Sequence, residues 1–431
     1  MDYKNILVGI GNPLLDITAN VDKQFVQNHR LEENGSMLVT KKYMDELIDE
    51  ILNSQSDPNI EYTPGGTILN TYTPGGTILN TVRIFQWAMN RIVNNDNKPI
   101  THFATFFGAT GNDDYSEILL SESQKSGLRM LCQKIEDEHT GRCLTMINGT
   151  KRSMCADLGA ASKFNLEFLE TPENWSVIEN ATAHFLNVSP NCIMRICEYA
   201  ANKNKKFIFN MGAIYLAKKF KKEIEIILKY SNLIFGNEDE YRSFANEMNF
   251  DKKEEIKDIG LAMAKVEKVS SLNERVIVIT RDALPLIVIK NDGKIIEYKV
   301  KEVPDGRLID SSCAGDAFAG GFIAAYVCGF KLEQCIEWGC SAAEMIIQRR
   351  GVVVITRDAL PLIVIKNDGQ MIEYKVKEIP NVALVDSSCA GDAFAGGFIA
   401  AYVCGYSLKE CIEWGCSAAE MIIQRRGCKL D

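Results

Sequence analysis

The feature that most constrains the fold of this chain is a long internal repeat in its C-terminal third. Residues 276–351 (the first copy) and 352–427 (the second copy) are each 76 residues long, abut without a linker and differ at only 12 positions. Two copies do not make a repeat array, which buries its core by stacking several units. We therefore expect one copy to complete a single α/β domain and the other to be surplus.

The sequence leaves open which copy completes the domain. The first copy adjoins the rest of the domain and forms pairings of lower contact order, which favours it. The second copy carries the C-terminal tail, which favours the second copy instead. We expect residues 1–351 to form one domain and residues 352–431 to be the duplicate with that tail. The surplus copy is apolar and would expose strand edges, so we expect a monomer in which swapping or dimerisation through that copy is possible.

A second, shorter repeat lies near the N-terminus. Residues 62–71 and 72–81 both read YTPGGTILNT. We favour the second of these as the structural one, because its helical pattern runs on into VRIFQWAM. A helix begun by the first would meet Pro74 within about a turn. The extra ten residues are then expected to form a loop.

Composition excludes several classes of protein. The chain has 431 residues, 46% hydrophobic and 24% charged, as in an ordinary globular protein. A net charge of −9 argues against nucleic-acid binding, and no apolar run is long enough to predict a membrane span. The first residues lack a basic region followed by an apolar stretch, so they predict no signal peptide. The 14 cysteines form no CxxC pair and accompany only four histidines, so we expect reduced thiols. The expected location is the cytoplasm, with the nucleus as a further compartment.

Alternating strand and helix patterns predict a doubly wound, mostly parallel sheet flanked by helices. Residues 276–280 are β-branched and apolar, as in a central parallel strand. Residues 142–147 and 153–158 predict a hairpin around Asn148-Gly149. The early hairpins predict a small β-sheet beside the main one, which could act as a lid.

The segment richest in chemistry is DSSCAGDAFAGGF, at 310–322 and again at 386–398. Backbone N–H groups at the start of its apolar helix are suited to binding an anion. Asp316 is the first acidic residue of that helix. It is either a functional carboxylate or a plain helix cap.

Three other segments carry polar groups next to strand or helix ends. They are GIGNPLLD at 9–16, PGGTILN at 74–80 and NEDE at 237–240. Each allows a ligand contact: hydroxyl binding by Asp16, close backbone approach at the glycines, and magnesium binding by the acidic group. Each also has a purely structural reading, as a turn, a helix start or an acidic helix N-terminus.

The order of these segments resembles that of the ribokinase-type sugar and nucleoside kinases, and within them the adenosine kinases. It runs GNPLLD, GG followed by Asn, ATFFG, HTGRC with KRS, GNEDE, AGDAF with GGF, and RRGC. The resemblance covers nearly the whole chain apart from the surplus copies. It implies a ribokinase-like α/β fold with a small β-sheet lid. It also implies ATP-dependent phosphorylation of the adenosine 5′-hydroxyl, giving AMP and ADP in purine salvage.

The resemblance also implies roles for individual residues. Asp316 or Asp392 would take the hydroxyl proton, and Arg152 would reach the phosphates from the lid. Glu240, with Asn237, would hold Mg²⁺ through water. The positions assigned to the anion hole and ATP are Ala314, Gly315, Ala390, Gly391 and Asn237. Those assigned to adenosine are Asn12, Asp16, Gly75, Gly76, Asn80, Gly65, Gly66, Asn70, Leu144 and Phe185.

Two alternatives to adenosine phosphorylation remain at this point. One is a related nucleoside or sugar kinase with another acceptor. The other is a catalytically impaired nucleoside-binding protein. It is suggested by Cys313 and Cys389, which stand where the family usually has glycine.

Overall fold

The chain divides into two compact units, residues 1–349 and 350–431. The structure is a computed structural model. It describes residues 5–31, 33, 35–54, 72–93, 102–148, 151–186, 190–212, 214–250, 255–269, 272–301, 313–347, 352–355, 362–366, 371–374, 393–394, 397–398 and 408–423.

The first unit contains strands β1 to β14 and helices α1 to α13. The strands are β1 (Leu7–Ile10), β2 (Leu14–Asn20), β3 (Ser36–Leu38), β4 (Tyr72–Gly75), β5 (Ala104–Thr110), β6 (Arg129–Lys134), β7 (Arg142–Asn148), β8 (Lys151–Asp157), β9 (Ala183–Leu186), β10 (Lys206–Asn210), β11 (Leu233–Asn237), β12 (Val276–Thr280), β13 (Leu286–Lys290) and β14 (Ile295–Tyr298). The helices are α1 (Lys23–Asn28), α2 (Lys41–Ser54), α3 (Thr77–Ile92), α4 (Asp114–Lys125), α5 (Leu166–Leu169), α6 (Pro172–Asn180), α7 (Pro190–Asn202), α8 (Ile214–Lys219), α9 (Lys221–Tyr230), α10 (Glu238–Glu247), α11 (Ile256–Ala264), α12 (Ala314–Val327) and α13 (Leu332–Ile347). A short 3₁₀ helix covers Gly159–Lys163.

A nine-stranded sheet forms the centre of the first unit, in the order β14-β13-β12-β11-β10-β9-β1-β5-β6. In this order, the seven strands β12, β11, β10, β9, β1, β5 and β6 run parallel to one another. Strands β13 and β14 add an antiparallel hairpin at one edge. Alternate residues of the central strands enter two separate cores, because successive side chains of a strand face opposite ways. Ile277 and Ile279 lie in one core, and Val276 and Val278 in the other. The predicted fold class is confirmed.

A second sheet of five strands has the order β3-β8-β7-β2-β4. One of its faces packs on α2, with Ile17, Leu144 and Met44 among the buried residues. The predicted hairpin appears as β7 and β8, which pair antiparallel. This is the small β-sheet that the sequence predicts beside the main one.

Hydrogen bonds of Thr140 stabilise the link between β6 of the large sheet and β7 of the small one. Its backbone N–H donates to Asp113 Oδ2 at 2.7 Å, and Gly111 N–H donates to its hydroxyl at 3.1 Å. Next to it, His139 Nε2 lies 2.6 Å from Asp157 Oδ2, at the end of β8. The HTGRC segment therefore forms the connection between the two sheets.

The first copy of the long repeat supplies β12, β13, β14, α12 and α13 of this unit. β12 pairs in parallel with β11, with Leu233 opposite Val276. The second unit contains β15 (Val352–Ile355), β16 (Leu362–Lys366), β17 (Met371–Tyr374) and α14 (Leu408–Ile423). Val352 lies opposite Lys366, just as Val276 lies opposite Lys290. Both copies thus form the same hairpin in the same register.

Helix α12 lies close against α3 at Gly320. A Cβ atom there would lie 2.6 Å from the carbonyl oxygen of Thr81 and 2.8 Å from Ile84 Cβ. We expect Gly320→Ala to lower the free energy of unfolding of the first unit by about 1–3 kcal/mol through overpacking. Urea unfolding would measure this, with the corresponding change in the second copy, Gly396→Ala, as the matched control. A larger loss for Gly396→Ala would contradict the placement of the first copy in the sheet.

Candidate active site

The N-terminus of α12 brings a carboxylate against α3. Cys313 is the cap residue and its side chain makes no capping hydrogen bond, while Asp316 is the third residue of the helix. The amide nitrogen Nδ2 of Asn80 donates to Asp316 Oδ2 at 3.2 Å and lies 3.5 Å from Cys313 Sγ. Asp316 is therefore not the cap residue, and its carboxylate faces a residue that the sequence places in the same site.

The two glycines before α3 bring the predicted ribose-binding residues together. A Cβ atom at Gly75 would lie 2.0 Å from Asp16 Oδ1, so this carboxylate rests directly on the Gly75 backbone. Gly76 has φ of +96°, and a Cβ there would lie 2.2 Å from the carbonyl oxygen of Asn12. Both positions therefore exclude a side chain, and the second also requires a backbone conformation that L-residues rarely adopt.

The pKa of Asp316 is raised to about 7, and burial of the carboxyl is the largest cause. The hydrogen bond from Asn80 opposes this shift, while the negative charges of Asp16 and Glu240 add to it. A carboxylate with a pKa near neutrality is suited to accepting a proton at physiological pH. The half-buried Asp316 is the group of this site best matched to that task.

Asn237 and Glu240 form the N-terminal cap of α10. The Asn237 side chain accepts from the Glu240 N–H at 2.9 Å, and Glu240 Oε2 accepts from the Asn237 N–H at 3.0 Å. Burial raises the pKa of Glu240 to about 7. This segment therefore forms a capped helix N-terminus, one of the two possibilities that the sequence left open. The negative charge of Glu240 also raises the pKa of Asp316.

The described residues contain no group of three or more His, Cys, Asp or Glu side chains that could hold a metal ion directly. Glu238 is ion-paired with Arg242 and Arg281, at 2.5 and 2.6 Å. One oxygen of Glu240 is taken by the cap of α10. Glu240 also accepts a backbone hydrogen bond from Gly212. Each carboxylate oxygen can accept more than one hydrogen bond, so the residues fit a magnesium ion held through water and not by direct ligation.

Leu144 and Phe185, which the resemblance assigns to adenosine binding, both lie in hydrophobic cores. Leu144 is fully buried in the core between the small sheet and α2, and Phe185 is fully buried in a core of the large sheet. Asp16 lies opposite Cys143, and side chains of paired residues share a face. Cys143 and Thr145, one position away from Leu144 on either side, are therefore on the Asp16 face. The family resemblance suggested Leu144, but the phase of the strand decides which residue faces the site.

Arg152 lies on β8 of the small sheet, opposite Ile147, and is half-buried. The structure thus places it on the sheet that the sequence assigns to it. The other predicted site residues lie outside the described residues, namely Gly65, Gly66, Asn70, Ala390, Gly391 and Asp392.

Comparison with known proteins gives consistent results. The sequence matches the family described as pfkB family carbohydrate kinase, over residues 69–353 and 350–431. It is 34% identical to adenosine kinase 1 of Arabidopsis thaliana over 355 residues, covering 81% of this chain and 96% of that protein. It is 31% identical to adenosine kinase of Schizosaccharomyces pombe, covering 78% and 92%.

Solved structures show the same likeness. Adenosine kinase of Anopheles gambiae, in complex with P1,P4-di(adenosine-5) tetraphosphate, superposes with a TM-score of 0.72 at 29% identity, covering 80% of this chain and 96% of that one. Adenosine kinase of Schistosoma mansoni, in complex with 2-fluoroadenosine, gives a TM-score of 0.71 at 27% identity, covering 81% and 96%.

The raised pKa of Asp316 predicts a pH-dependent stability. The pKa rises from an ordinary value of 3.8 to about 7, so between these values the native state binds more protons and stability falls as pH rises. Asp316→Asn removes this penalty. We expect the variant to gain about 2 kcal/mol relative to the parent between pH 4 and pH 8, allowing for partial exposure. Urea unfolding at both pH values measures this. Equal pH dependence in parent and variant would contradict the raised pKa.

Proposed function

Since this chain belongs to the pfkB family of carbohydrate kinases, and within it to the adenosine kinases, we propose that it transfers the γ-phosphoryl group of ATP to the 5′-hydroxyl of adenosine. The products are AMP and ADP, and the reaction belongs to purine salvage. The single observation that carries the proposal is the position of Asp316. Its carboxylate lies at a helix N-terminus, beside Asn80 and within electrostatic reach of Asp16.

In this proposal, Asp316 accepts the proton of the 5′-hydroxyl as its oxygen attacks the γ-phosphorus. The first-turn N–H groups of α12, on Ala314, Gly315 and Asp316, have no acceptor within the helix and lie next to this carboxylate. They are therefore suited to bind the oxygens of the transferring group. Phosphoryl transfer depends mainly on such positioning and charge neutralisation.

The acceptor would bind between the two sheets of the first unit. Asp16 lies on β2 of the small sheet, and its carboxylate contacts Gly75. Asn12 lies in the link between β1 of the large sheet and β2. A carboxylate and an amide are suited to the hydroxyls of a ribose. Asn80 is the residue that touches Asp316, so it would connect ribose binding with the proton acceptor.

Magnesium would reach the site with ATP. When bound, it neutralises phosphate charge, which favours transfer. Glu240 would hold it through water and Asn237 would keep Glu240 in place through the cap of α10. Arg152 would approach the phosphates from the small sheet, where its planar guanidinium matches phosphate oxygens.

We propose cytoplasmic action, with the nucleus as a further location. The 11 cysteines in the described part of the chain are all thiols, which supports a reducing compartment. No helix in the same part is both long and apolar enough to cross a membrane.

We also propose that the first unit works as a monomer, and that the second copy allows swapping or dimerisation.

The direct test is AMP formation from adenosine and ATP. We expect Asp316→Asn to lower the rate by about 10²–10⁴-fold, because it removes the proton acceptor. Asp392→Asn is the matched control and is expected to keep the parent rate. Adenosine binding without AMP formation by the folded parent would instead indicate an impaired binding protein. A faster reaction with another nucleoside or a sugar, at fixed ATP, would indicate the related kinase.

The reaction should also depend on pH. Only the ionised form of Asp316 accepts a proton, so kcat/KM should fall as pH drops below about 7. Asn80→Ala removes a hydrogen bond that favours the ionised form of Asp316. The acidic limb of the pH profile, where kcat/KM falls, should therefore move to higher pH. The pH profile of adenosine phosphorylation measures both. Asn70→Ala, in the other short repeat, is the control, and an unmoved limb in Asn80→Ala would refute the role of Asn80.

A further inference from the structure

Arg275 immediately precedes the first copy of the long repeat and is fully buried. Its guanidinium donates to backbone carbonyl oxygens. Nε donates to Ser231 at 3.2 Å and Nη2 to Leu228 at 2.5 Å. Nη1 donates to Met263 and Ala264, at 3.2 and 3.3 Å, and also to Val266. One side chain thus satisfies five carbonyl groups.

These carbonyls belong to the C-terminal ends of α9 and α11. The last carbonyls of a helix lack intrahelical donors and carry the negative end of its dipole, so a buried cation is favoured there. Burial lowers the pKa of Arg275 to about 10, and the side chain therefore stays charged at neutral pH. Arg275 joins the ends of two helices that flank β11 and β12.

The second copy lacks this side chain. The residue before Val352 is Gly351, whereas the residue before Val276 is Arg275. If the second copy replaced the first beside β11, glycine would occupy the buried position and each of the five carbonyls would lose its hydrogen bond from the arginine. The second copy also has Val353 where the fully buried Ile277 stands in the first. Most other contacts would be kept, because the two copies are nearly identical.

We propose that Arg275 is a positioning residue. It causes the first copy, and not the second, to pair with β11 in the nine-stranded sheet next to the active site. The inference rests on the proposed function, because it makes Asp316 and not Asp392 the working carboxylate. Exchange is compatible with the chain connectivity. If the second copy joined β11 with Gly351 in the place of Arg275, residues 275–350 would become an insertion.

The test transfers the arginine from one copy to the other in the full chain. In an Asp316→Asn background, the combined change Arg275→Gly and Gly351→Arg should restore AMP formation about 10²-fold, since loss of a general base costs at least that much. Adding Asp392→Asn should abolish the restored activity. A merely structural Arg275 would lower stability without creating any dependence on Asp392.

A second readout does not require activity. In the parent, β12 is paired on both sides, by β11 and β13. Its sequence VIVIT differs from VVVIT in the second copy, so hydrogen exchange followed by mass spectrometry distinguishes the two peptides. The transfer should reverse which peptide is protected. Where the combined variant does not fold, Asp316→Asn with Gly351→Arg keeps Arg275, and protection of the VVVIT peptide should rise.

The outcomes separate this proposal from the proposed function. A folded variant with no restored activity and unchanged protection of both peptides would overturn the role of Arg275. The same follows if the Gly351→Arg chain shows no added protection. An inactive but folded parent would overturn the kinase assignment, while a reversal of protection in that case would still support the role of Arg275.

Discussion

The parallel pairing of β11 with β12 is the contact on which the site depends. Along the chain, β12 leads through its hairpin to α12, so the position of β12 in the sheet determines where Asp316 lies. Gly320 then lets α12 approach α3 closely enough for Asn80 to reach the carboxylate. A strand pairing, a glycine contact and one hydrogen bond thus link the sheet to the chemistry.

The site concentrates negative charge before any substrate binds. The charges of Asp16 and Glu240 both raise the pKa of Asp316, and the pKa values of Asp316 and Glu240 are each raised to about 7, mainly by burial. Such an arrangement is costly in the free protein, and in the proposed reaction the cation that accompanies ATP would relieve it. The cap of α10 and the backbone of Gly75 hold Glu240 and Asp16 in this arrangement, so it is built by rigid backbone elements.

Much of the fold and part of the site could be predicted from the sequence. The β-branched run at 276–280 and the hairpin at 142–158 were identifiable because period and turn residues are local signals. Asn12, Asp16, Gly75, Gly76 and Asn80 were identifiable as motifs, and the structure brings them close to one another or to Asp316. Leu144 shows the limit, because a shift of one residue in a strand reverses its face, and only pairing partners fix that phase. Arg275 gave no local signal, because its partners are backbone carbonyl groups at the ends of two helices, 9 to 47 residues earlier in the chain, and carbonyl groups carry no sequence pattern.

The shared register of the two hairpins has a consequence for the evolution of this gene. Seven of the 12 differences fall on described residues of the first copy, and among these only Ile277 is buried. Among the described residues, the differences between the copies therefore lie mainly at the surface of the first unit, and the buried residues of the first copy other than Ile277 have identical counterparts in the second. Under the role proposed for Arg275, moving the arginine from position 275 to position 351 would bring the second copy into use. Mutations harmful to one copy could then persist long enough for the other to take over its role.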